Sequence, residues 1–305
     1  MSLDERFQQS DKQLDRLAAT YERELIRNYQ LALKEIRAQI AFAYEKYGSD
    51  GALSFAEMQK YGRLSNLERN ISHEISRLTA TSARTLKKGL GEVFAESFYR
   101  AGFLIESEVQ ALLGFGLLNP KTIEASVLNP LGRVGFLQRN KDNQVQLTRQ
   151  LRDQLTQALL QGKSYQQAAK AIKERLDTGA ANTLRIAATE MHRCMNEGKM
   201  AAMGKAETAG VIMRKKWVSA VDSRTRRSHA RADGQVVGMK EPFRVDGENL
   251  QYPGDPSGSP ENVINCRCSF ISVIDGVSND FRRVRGEGIV PYKTFSEYKE
   301  ARINA

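Results

Sequence analysis

A long stripe of apolar residues near the N-terminus constrains the fold more than any other feature of this sequence. Between residues 14 and 47 the apolar side chains recur every three or four positions, at Leu14, Leu17, Tyr21, Leu25, Tyr29, Leu33, Ile36, Ile40, Tyr44 and Tyr47. That spacing puts them on one face of a single amphipathic helix, and Gly48 and Asp50 predict its end. Such a helix must bury its apolar face against other helices, a partner protein, or both.

The remainder of the first two thirds of the chain is also predicted to be helical. A second stripe comprises Leu64, Leu67, Ile71, Ile75 and Leu78, and further helical patterns cover residues 92–113, 146–176 and 184–210. His73 falls off the second stripe and is expected to face solvent. Ser164 is expected to cap the helix that follows the turn at residues 161–164. Cys194 lies within the last pattern and is predicted to be a small core residue.

The pattern changes after residue 210. Residues 211–222 alternate loosely around Trp217, which predicts a strand. Asp222 is then placed to cap a short helix over residues 223–232, stopped at Gly234. On that helix Thr225 and His229 would share one face, and the arginines at three- and four-residue spacing would form a cationic face. These arginines are Arg224, Arg227 and Arg231.

A proline-rich loop over residues 239–260 precedes a second predicted strand, residues 263–274. On a strand Cys266 and Cys268 would project to the same side, and contact with His229 would create a Cys-Cys-His cluster. Zinc is one candidate occupant. The C-x-C spacing is not that of a zinc knuckle, and a fourth ligand would have to come from Asp222, Asp233 or water. The alternative is two buried thiols and a histidine that hydrogen-bonds the loop.

Charge indicates a polyanionic partner. The net charge is +10, and residues 201–250 carry ten Lys or Arg against six acidic residues. Nucleic-acid contact and a solvated surface both account for this excess. The candidate phosphate-binding residues are Lys215, Lys216, Arg224, Arg226, Arg227 and Arg231.

Targeting signals and enzymatic signatures are weak. The N-terminus lacks the apolar segment of a signal peptide, no apolar run could span a bilayer, and three cysteines do not form a disulfide framework. We therefore expect synthesis in a reducing cytoplasm.

No oxyanion pocket or orienting group accompanies the Cys-His pair, and we expect no enzymatic activity. The alternative is a metal-dependent nuclease or toxin-like enzyme that uses Asp222, His229 and Asp233.

The C-terminal motifs resemble those of the phage Mu F-like head-morphogenesis proteins over roughly residues 180–275. An upstream segment is also similar to the family, and its matching residues are Thr189, Glu190, Asn196 and Gly198. This chain has Ala188 where that family segment usually has arginine. The shared residues of the module are Trp217, Asp222 to Arg226, His229, Asp233, Gly234, Phe243, Tyr252 to Asp255, and Asn265 to Cys268. Trp217, Asp222, Thr225, His229, Asp233, Gly234, Asn265, Cys266 and Cys268 are expected to form its structural framework.

The resemblance implies a minor capsid protein of the virion, inside the head near the portal, that supports head assembly and DNA delivery. Its implied partners are the portal protein, a scaffold or major capsid protein, and double-stranded DNA bound without sequence preference, with no membrane contact. The predicted fold class is α+β. Residues 1–180 would form a helical docking region, residues 181–275 a small mixed module, and residues 276–305 a tail that becomes ordered on binding, with Arg282, Arg283 and Arg285 as further DNA contacts.

Overall fold

The computed structural model describes residues 2–129, 135–220, 222–274 and 295–303. The helices of this part are α1 (Leu3–Tyr47), α2 (Phe55–Gln59), α3 (Arg63–Val109), α4 (Pro120–Leu128), α5 (Phe136–Leu160), α6 (Tyr165–Thr208), α7 (Arg227–Ala232), α8 (Pro260–Val263) and α9 (Phe295–Ile303). The strands are β1 (Met213–Val218), β2 (Val236–Gly238), β3 (Phe243–Val245), β4 (Glu248–Leu250) and β5 (Ser269–Ile274). The predicted α+β class is confirmed, with long helices first and short antiparallel strands after them.

The chain forms two compact units that are not consecutive in sequence. The helical unit comprises Thr20–Lys87 and Phe136–Ala187. The mixed unit comprises Met1–Ala19, Lys88–Gly135 and Ala188–Ala305. The expected boundary at residue 180 lies inside α6, which contributes to both units, as do α1 and α3. The division into an N-terminal helical region and a C-terminal family module therefore stays a prediction, and the two compact units divide the chain differently.

Apolar stripes form the core of the helical unit. The stripe residues of α1 within this unit include buried Ile36 and Ile40, which cluster with the second stripe on α3 and with Leu151 on α5. His73 is exposed, as predicted. The Ser164 hydroxyl accepts a hydrogen bond from the backbone N–H of Gln167, the capping geometry expected at the start of α6. Periodicity alone therefore located the helical regions that carry these stripes, together with their buried faces.

Strand β1 is central in the three-stranded antiparallel sheet of the mixed unit. The strand order is β2-β1-β5, with Lys216 opposite Ile271 and Arg214 opposite Gly238. Side chains alternate along β1, so that Met213, Lys215 and Trp217 are buried and the intervening residues point the other way. Strands β3 and β4 form a separate hairpin. Its turn residues, Asp246 and Gly247, both have positive φ, as a tight two-residue hairpin turn requires.

Several local predictions were wrong. The second and third helical runs are one helix, α3. Helix α7 begins at Arg227 and its N-cap position is Arg226, so Asp222 does not cap it. Cys266 and Cys268 precede β5 rather than lying on a strand. Residues 276–294 of the expected tail lie outside the described residues, but 295–303 form α9, and Tyr298 is buried in the mixed-unit core.

None of the helices in the described ranges has both the length and the apolar character needed to cross a membrane.

Candidate functional site

A buried cluster of one imidazole and two thiols lies between α7 and the segment that leads into β5. The Nδ1 atom of His229 is 3.4 Å from Sγ of Cys268 and 3.6 Å from Sγ of Cys266. The three residues are between 1% and 4% exposed. The predicted cluster is therefore formed, although the cysteines reach the same side from an irregular segment. The ligand atoms of all three residues lie within 4.8 Å of one another.

Polar neighbours fix the orientation of the His229 ring. Its Nε2 atom lies 3.3 Å from Oδ1 of Asn262 on α8. Glu248 accepts hydrogen bonds from Ser259 and from the Asn262 side chain, and these hold the pKa of its carboxyl group below the ordinary value. The Asn262 amide nitrogen thus faces Glu248 and its oxygen faces the ring. His229 must then donate from Nε2–H, which turns Nδ1 toward the sulfurs.

The two thiols have unequal acidities. A hydrogen bond from Cys266 lowers the pKa of Cys268, and the contact with His229 also lowers it, whereas burial raises it. The pKa of Cys266 is raised by the same hydrogen bond and by burial. The backbone N–H of Ala220 also bonds Cys268 and favours its thiolate. Trp217 closes one side of the cluster, with its ring edge-on to that of His229 at a centroid distance of 5.8 Å.

The acidic residues around the cluster have structural tasks. Asp222 binds the Arg267 guanidinium through both oxygens, at 2.5 and 2.6 Å, and this pairing holds the pKa of Asp222 well below its usual range. Asp222 also accepts the backbone N–H of Arg224, so it orders a turn before α7. Asp233 accepts the backbone N–H of Ser219 at 2.7 Å. The Thr225 hydroxyl donates to the carbonyl of Ala220.

The alternative nuclease prediction would need Asp222, His229 and Asp233 to act together. His229 is buried between the two sulfur atoms and an amide, and Asp222 is paired with Arg267. Asp233 accepts a backbone hydrogen bond from Ser219, the residue after β1. Each of the three side chains is therefore engaged in a different structural interaction. In the part of the chain that the structure describes, the one His/Cys/Asp/Glu group with metal-ligand proximity is His229 with the two cysteines.

Helix α6 holds the cysteine segment and the proline-rich loop in place. The Asn196 amide donates to the carbonyl oxygens of Pro253, at 2.9 Å, and Cys268, at 3.1 Å. The Thr189 hydroxyl accepts the backbone N–H of Asn265, whose positive φ suits asparagine. At Gly198 an added Cβ would overlap the carbonyl oxygen of Phe94 on α3. Each of these positions therefore needs a particular residue type for a contact within the mixed unit.

The predicted basic residues differ in their availability. Lys215 is fully buried on the inner side of β1, where Nζ donates to the carbonyl and side-chain oxygens of Gln251, and burial lowers its pKa to about 8. Its prediction as a phosphate contact was wrong, because adjacent strand residues point to opposite faces. Lys216 is half-buried and pairs with Asp4, and Arg226 is half-buried and donates to the carbonyl of Ile264.

Three arginines remain open to solvent, namely Arg224, Arg227 and Arg231. Arg224 precedes α7, so the three do not form one helical stripe as predicted. The side chains of Arg224 and Arg231 are 77% and 76% exposed and make long ion pairs with Asp222 and Asp246, at 3.7 and 3.9 Å. Arg282, Arg283 and Arg285 lie outside the described residues.

Comparison with known proteins identifies the family. A family model described as phage Mu protein F like protein matches residues 149–271. The minor head protein GP7 of Bacillus phage SPP1 is 30% identical over 299 residues, which covers 95% of this chain and 96% of GP7. The chain belongs to the phage Mu F-like family. No solved structure matches it.

Two other relatives of this Mu F-like chain differ in coverage. The NAD(+)–arginine ADP-ribosyltransferase EFV of Enterococcus faecalis is 26% identical over 92% of this chain, but the match spans 57% of that longer protein. The uncharacterized protein YqbB of Bacillus subtilis is 28% identical over 129 residues, 40% of this chain and 41% of YqbB. Similarity to part of an enzyme does not by itself carry the activity to this chain.

A buried group of ion pairs lies within α6, after Ala188, the position at which a departure from the family pattern was expected. Arg193, fully buried on α6, binds Glu190 at 2.8 Å and Glu197 at 2.5 Å. Sequence reasoning did not single out Arg193. Its spacing of three from Glu190 and four from Glu197 was the available signal, because such positions share a helix face.

Proposed function

We propose that this protein is a minor head protein that acts in phage head morphogenesis, docks to the portal through its helical unit, and contacts packaged DNA without sequence preference. Homology to a minor head protein carries the first part of the proposal. The similarity to GP7 extends over nearly the full length of both chains and therefore includes both compact units. In this role the protein belongs to the virion head, after assembly in the host cytoplasm.

Exposed apolar side chains on α1 support docking through the helical unit. Leu31 and Phe42 are 54% and 56% exposed. They lie eleven residues apart, which is close to three helical turns, so they share one face of the helix. Apolar side chains this exposed on one face are available to pack against a protein partner. We assign this face to the portal, and the scaffold or major capsid protein is the alternative partner.

Co-expression with the portal protein tests the docking face. Replacing Leu31 and Phe42 together with glutamate should abolish co-purification with the portal, because two buried charges would oppose the interface. Leu160→Glu, at a 64% exposed apolar site on α5, should leave it intact. The circular dichroism of all variants should match that of the parent chain. Unchanged co-purification of the Leu31/Phe42 variant would move the portal contact to another face, and co-purification with capsid or scaffold alone would reject the portal.

The exposed arginines support DNA contact. Arg224, Arg227 and Arg231 project from the mixed unit with only long ion pairs to compete with phosphate. Contacts of this kind neutralise phosphates and read no bases, so binding is weak and salt-dependent. Weak, nonspecific contact is compatible with movement of DNA past the protein during packaging and delivery.

The salt dependence of duplex binding tests this contact. Replacing Arg224, Arg227 and Arg231 with glutamine should reduce the slope of log K against log salt by about 0.9 for each phosphate that the variant no longer neutralises. Glutamines at Lys60, Arg77 and Lys88 remove the same charge from other exposed positions and should leave the slope nearly unchanged. Equal reductions in both triple variants would indicate a general charge effect, and the arginine site would then be rejected.

We infer that this role is architectural and not enzymatic. The acidic residues that a nuclease would need are engaged in separate structural bonds, and the match to the ADP-ribosyltransferase covers 57% of that enzyme. Incubation of the purified chain with NAD+ and an arginine substrate, and separately with DNA and Mg²⁺ or Mn²⁺, should yield no product. Turnover that disappears in His229→Ala would overturn the inference.

A further inference from the structure

The structure brings one imidazole nitrogen and two sulfur atoms together in the mixed unit. We propose that His229, Cys266 and Cys268 bind one Zn²⁺ ion, with His229 as the Nδ1 ligand and a water molecule in the fourth position. The ion would join α7 to the segment before β5 and so close the part of the chain that carries the hairpin and the proline-rich loop. This inference is independent of the role in head assembly.

The distances fit tetrahedral zinc. With Zn–S near 2.3 Å and Zn–N near 2.0–2.1 Å, the nitrogen and sulfur ligands of a tetrahedral site are about 3.6 Å apart. The two Nδ1···Sγ distances of 3.4 and 3.6 Å agree with that spacing. The three ligand atoms all lie within 4.8 Å of one another. Convergence of both sulfur atoms on one nitrogen is the observation that carries the proposal.

Hydrogen bonding alone serves this cluster less well. Because the Nε2–H group of His229 faces Asn262, Nδ1 offers the sulfurs one lone pair or, in the protonated ring, one hydrogen. A hydrogen on Nδ1 can be directed at only one of the two sulfur atoms, and the bond from Cys266 to Cys268 does not account for the approach of Nδ1 to Cys266. A central cation bonds all three ligand atoms at once. Two thiolates and Zn²⁺ also sum to zero charge, which suits a site that is almost fully buried.

The surroundings resemble an outer shell for a metal. The carboxylate of Glu248 orients Asn262, and Asn262 in turn accepts the distal N–H of His229, the relay that commonly fixes a ligating histidine. The Ala220 N–H donates to Cys268, and Asn196 binds the carbonyl of the same cysteine. Among the described residues no fourth His, Cys, Asp or Glu joins the group. We therefore place water in the remaining position, and burial limits what else could enter.

Metal content and cobalt substitution test the site directly. The full chain, expressed with zinc and purified under reducing conditions without chelator, should contain about one zinc ion per chain. Replacement by Co²⁺ should produce thiolate-to-cobalt absorption and quench the emission of Trp217, the single tryptophan of the chain, which lies against His229. Reduced protein with neither zinc nor a cobalt spectrum would overturn the proposal. A metal-free chain two hydrogens lighter than expected would overturn it in favour of a Cys266–Cys268 disulfide.

Variants separate this site from adventitious binding. Cys266→Ser combined with Cys268→Ser should lose the metal, whereas Cys194→Ala should keep it, since Cys194 is a buried thiol outside the cluster. Asn262→Ala should weaken zinc affinity by about 10–100-fold through loss of the outer-shell bond. Equal metal content in the double-cysteine variant would reject these ligands.

Chelation of the wild-type chain provides a test that needs no variant. If the double-cysteine variant fails to fold, zinc can be stripped from the native protein and added back in steps. Removal should lower the melting temperature by several degrees and alter the emission of Trp217, and one equivalent of Zn²⁺ should restore both. If neither zinc removal nor zinc addition changes the melting temperature or the emission, the proposal is overturned.

Discussion

The helical unit and the mixed unit bury different kinds of side chain. The core of the helical unit is mainly aliphatic, with Ile36, Ile71 and Leu151 among its fully buried members. The mixed unit buries aromatic rings together with cations. In the described ranges every fully buried Lys or Arg belongs to this unit, namely Arg193, Lys199 and Lys215. Apolar packing tolerates changes of shape at constant volume, whereas a buried cation requires its particular partners.

This difference explains where the recognisable motifs lie. Lys199 donates to the carboxylate of Asp11 at 2.7 Å, which balances its charge, and to the hydroxyl of Ser269 at 2.6 Å. Asn196 satisfies two buried carbonyls. Few residue types can replace such side chains, whereas an aliphatic helix face can be made from many sequences. The motif residues from Thr189 to Cys268 all belong to the mixed unit, and the family model covers them together with residues 149–187 of the helical unit.

Removal of a buried cation should give the largest effect on stability. Arg193→Ala would remove the guanidinium that binds the carboxylate of Glu190, itself 1% exposed, and should lower the free energy of unfolding by about 3–5 kcal/mol. Urea unfolding followed by Trp217 emission reports on the mixed unit, because Trp217 lies in its core. Arg193→Met combined with Glu190→Gln, which removes both charges, should recover part of the loss.

The matched control lies in the helical unit. Arg152 pairs with Glu68 at 2.9 Å, but the Arg152 side chain is 56% exposed. Arg152→Ala should therefore cost no more than about 1 kcal/mol. Similar losses for Arg193→Ala and Arg152→Ala would contradict the contrast between the two units.

Truncation in the aliphatic core should give the next largest effect. Leu151 is fully buried on α5, and Leu151→Ala should lower the free energy of unfolding by about 2–5 kcal/mol through the cavity it leaves. Leu151→Met conserves volume and should cost less than about 1.5 kcal/mol. Thermal unfolding followed by circular dichroism measures both. A methionine variant as unstable as the alanine variant would show that this core also depends on exact shape.

Sequence periodicity was sufficient for the first long helix and for one strand. The stripe from Leu14 to Tyr47 predicted α1 and its buried face, and the alternation around Trp217 predicted β1. A cluster of His229 with Cys266 and Cys268 was also predicted, and the structure forms it, although the strand expected to carry both cysteines begins only at Ser269. The helix and the strand depend on local pattern, which a single sequence contains.

Other features depend on tertiary contacts that no local pattern encodes. Asp222 has the residue type and position of a helix cap, yet Arg267, 45 positions later, takes both of its oxygens. Lys215 and Lys216 look equivalent in the sequence, but the sheet turns one inward and the other outward. The two compact units could not be predicted, because α1, α3 and α6 each contribute to both without any break in their helical pattern.

Two glycines on α6 should give opposite and smaller effects, and they test whether close packing in the mixed unit is local. A Cβ at Gly198 would overlap the carbonyl of Phe94 and lie 3.2 Å from Cβ of Ser97, so Gly198→Ala should cost about 1–3 kcal/mol by forcing α3 and α6 apart. At Gly204, six residues further along the same helix, the added Cβ would meet no atom within 4 Å beyond its chain neighbours and the nearby backbone of α6. Gly204→Ala should therefore stabilise the protein by about 0.5–1 kcal/mol, because alanine restricts the unfolded chain and favours the helix. Urea unfolding with Trp217 emission measures both, and a gain in stability for Gly198→Ala would mean that α3 and α6 are not in close contact at Phe94.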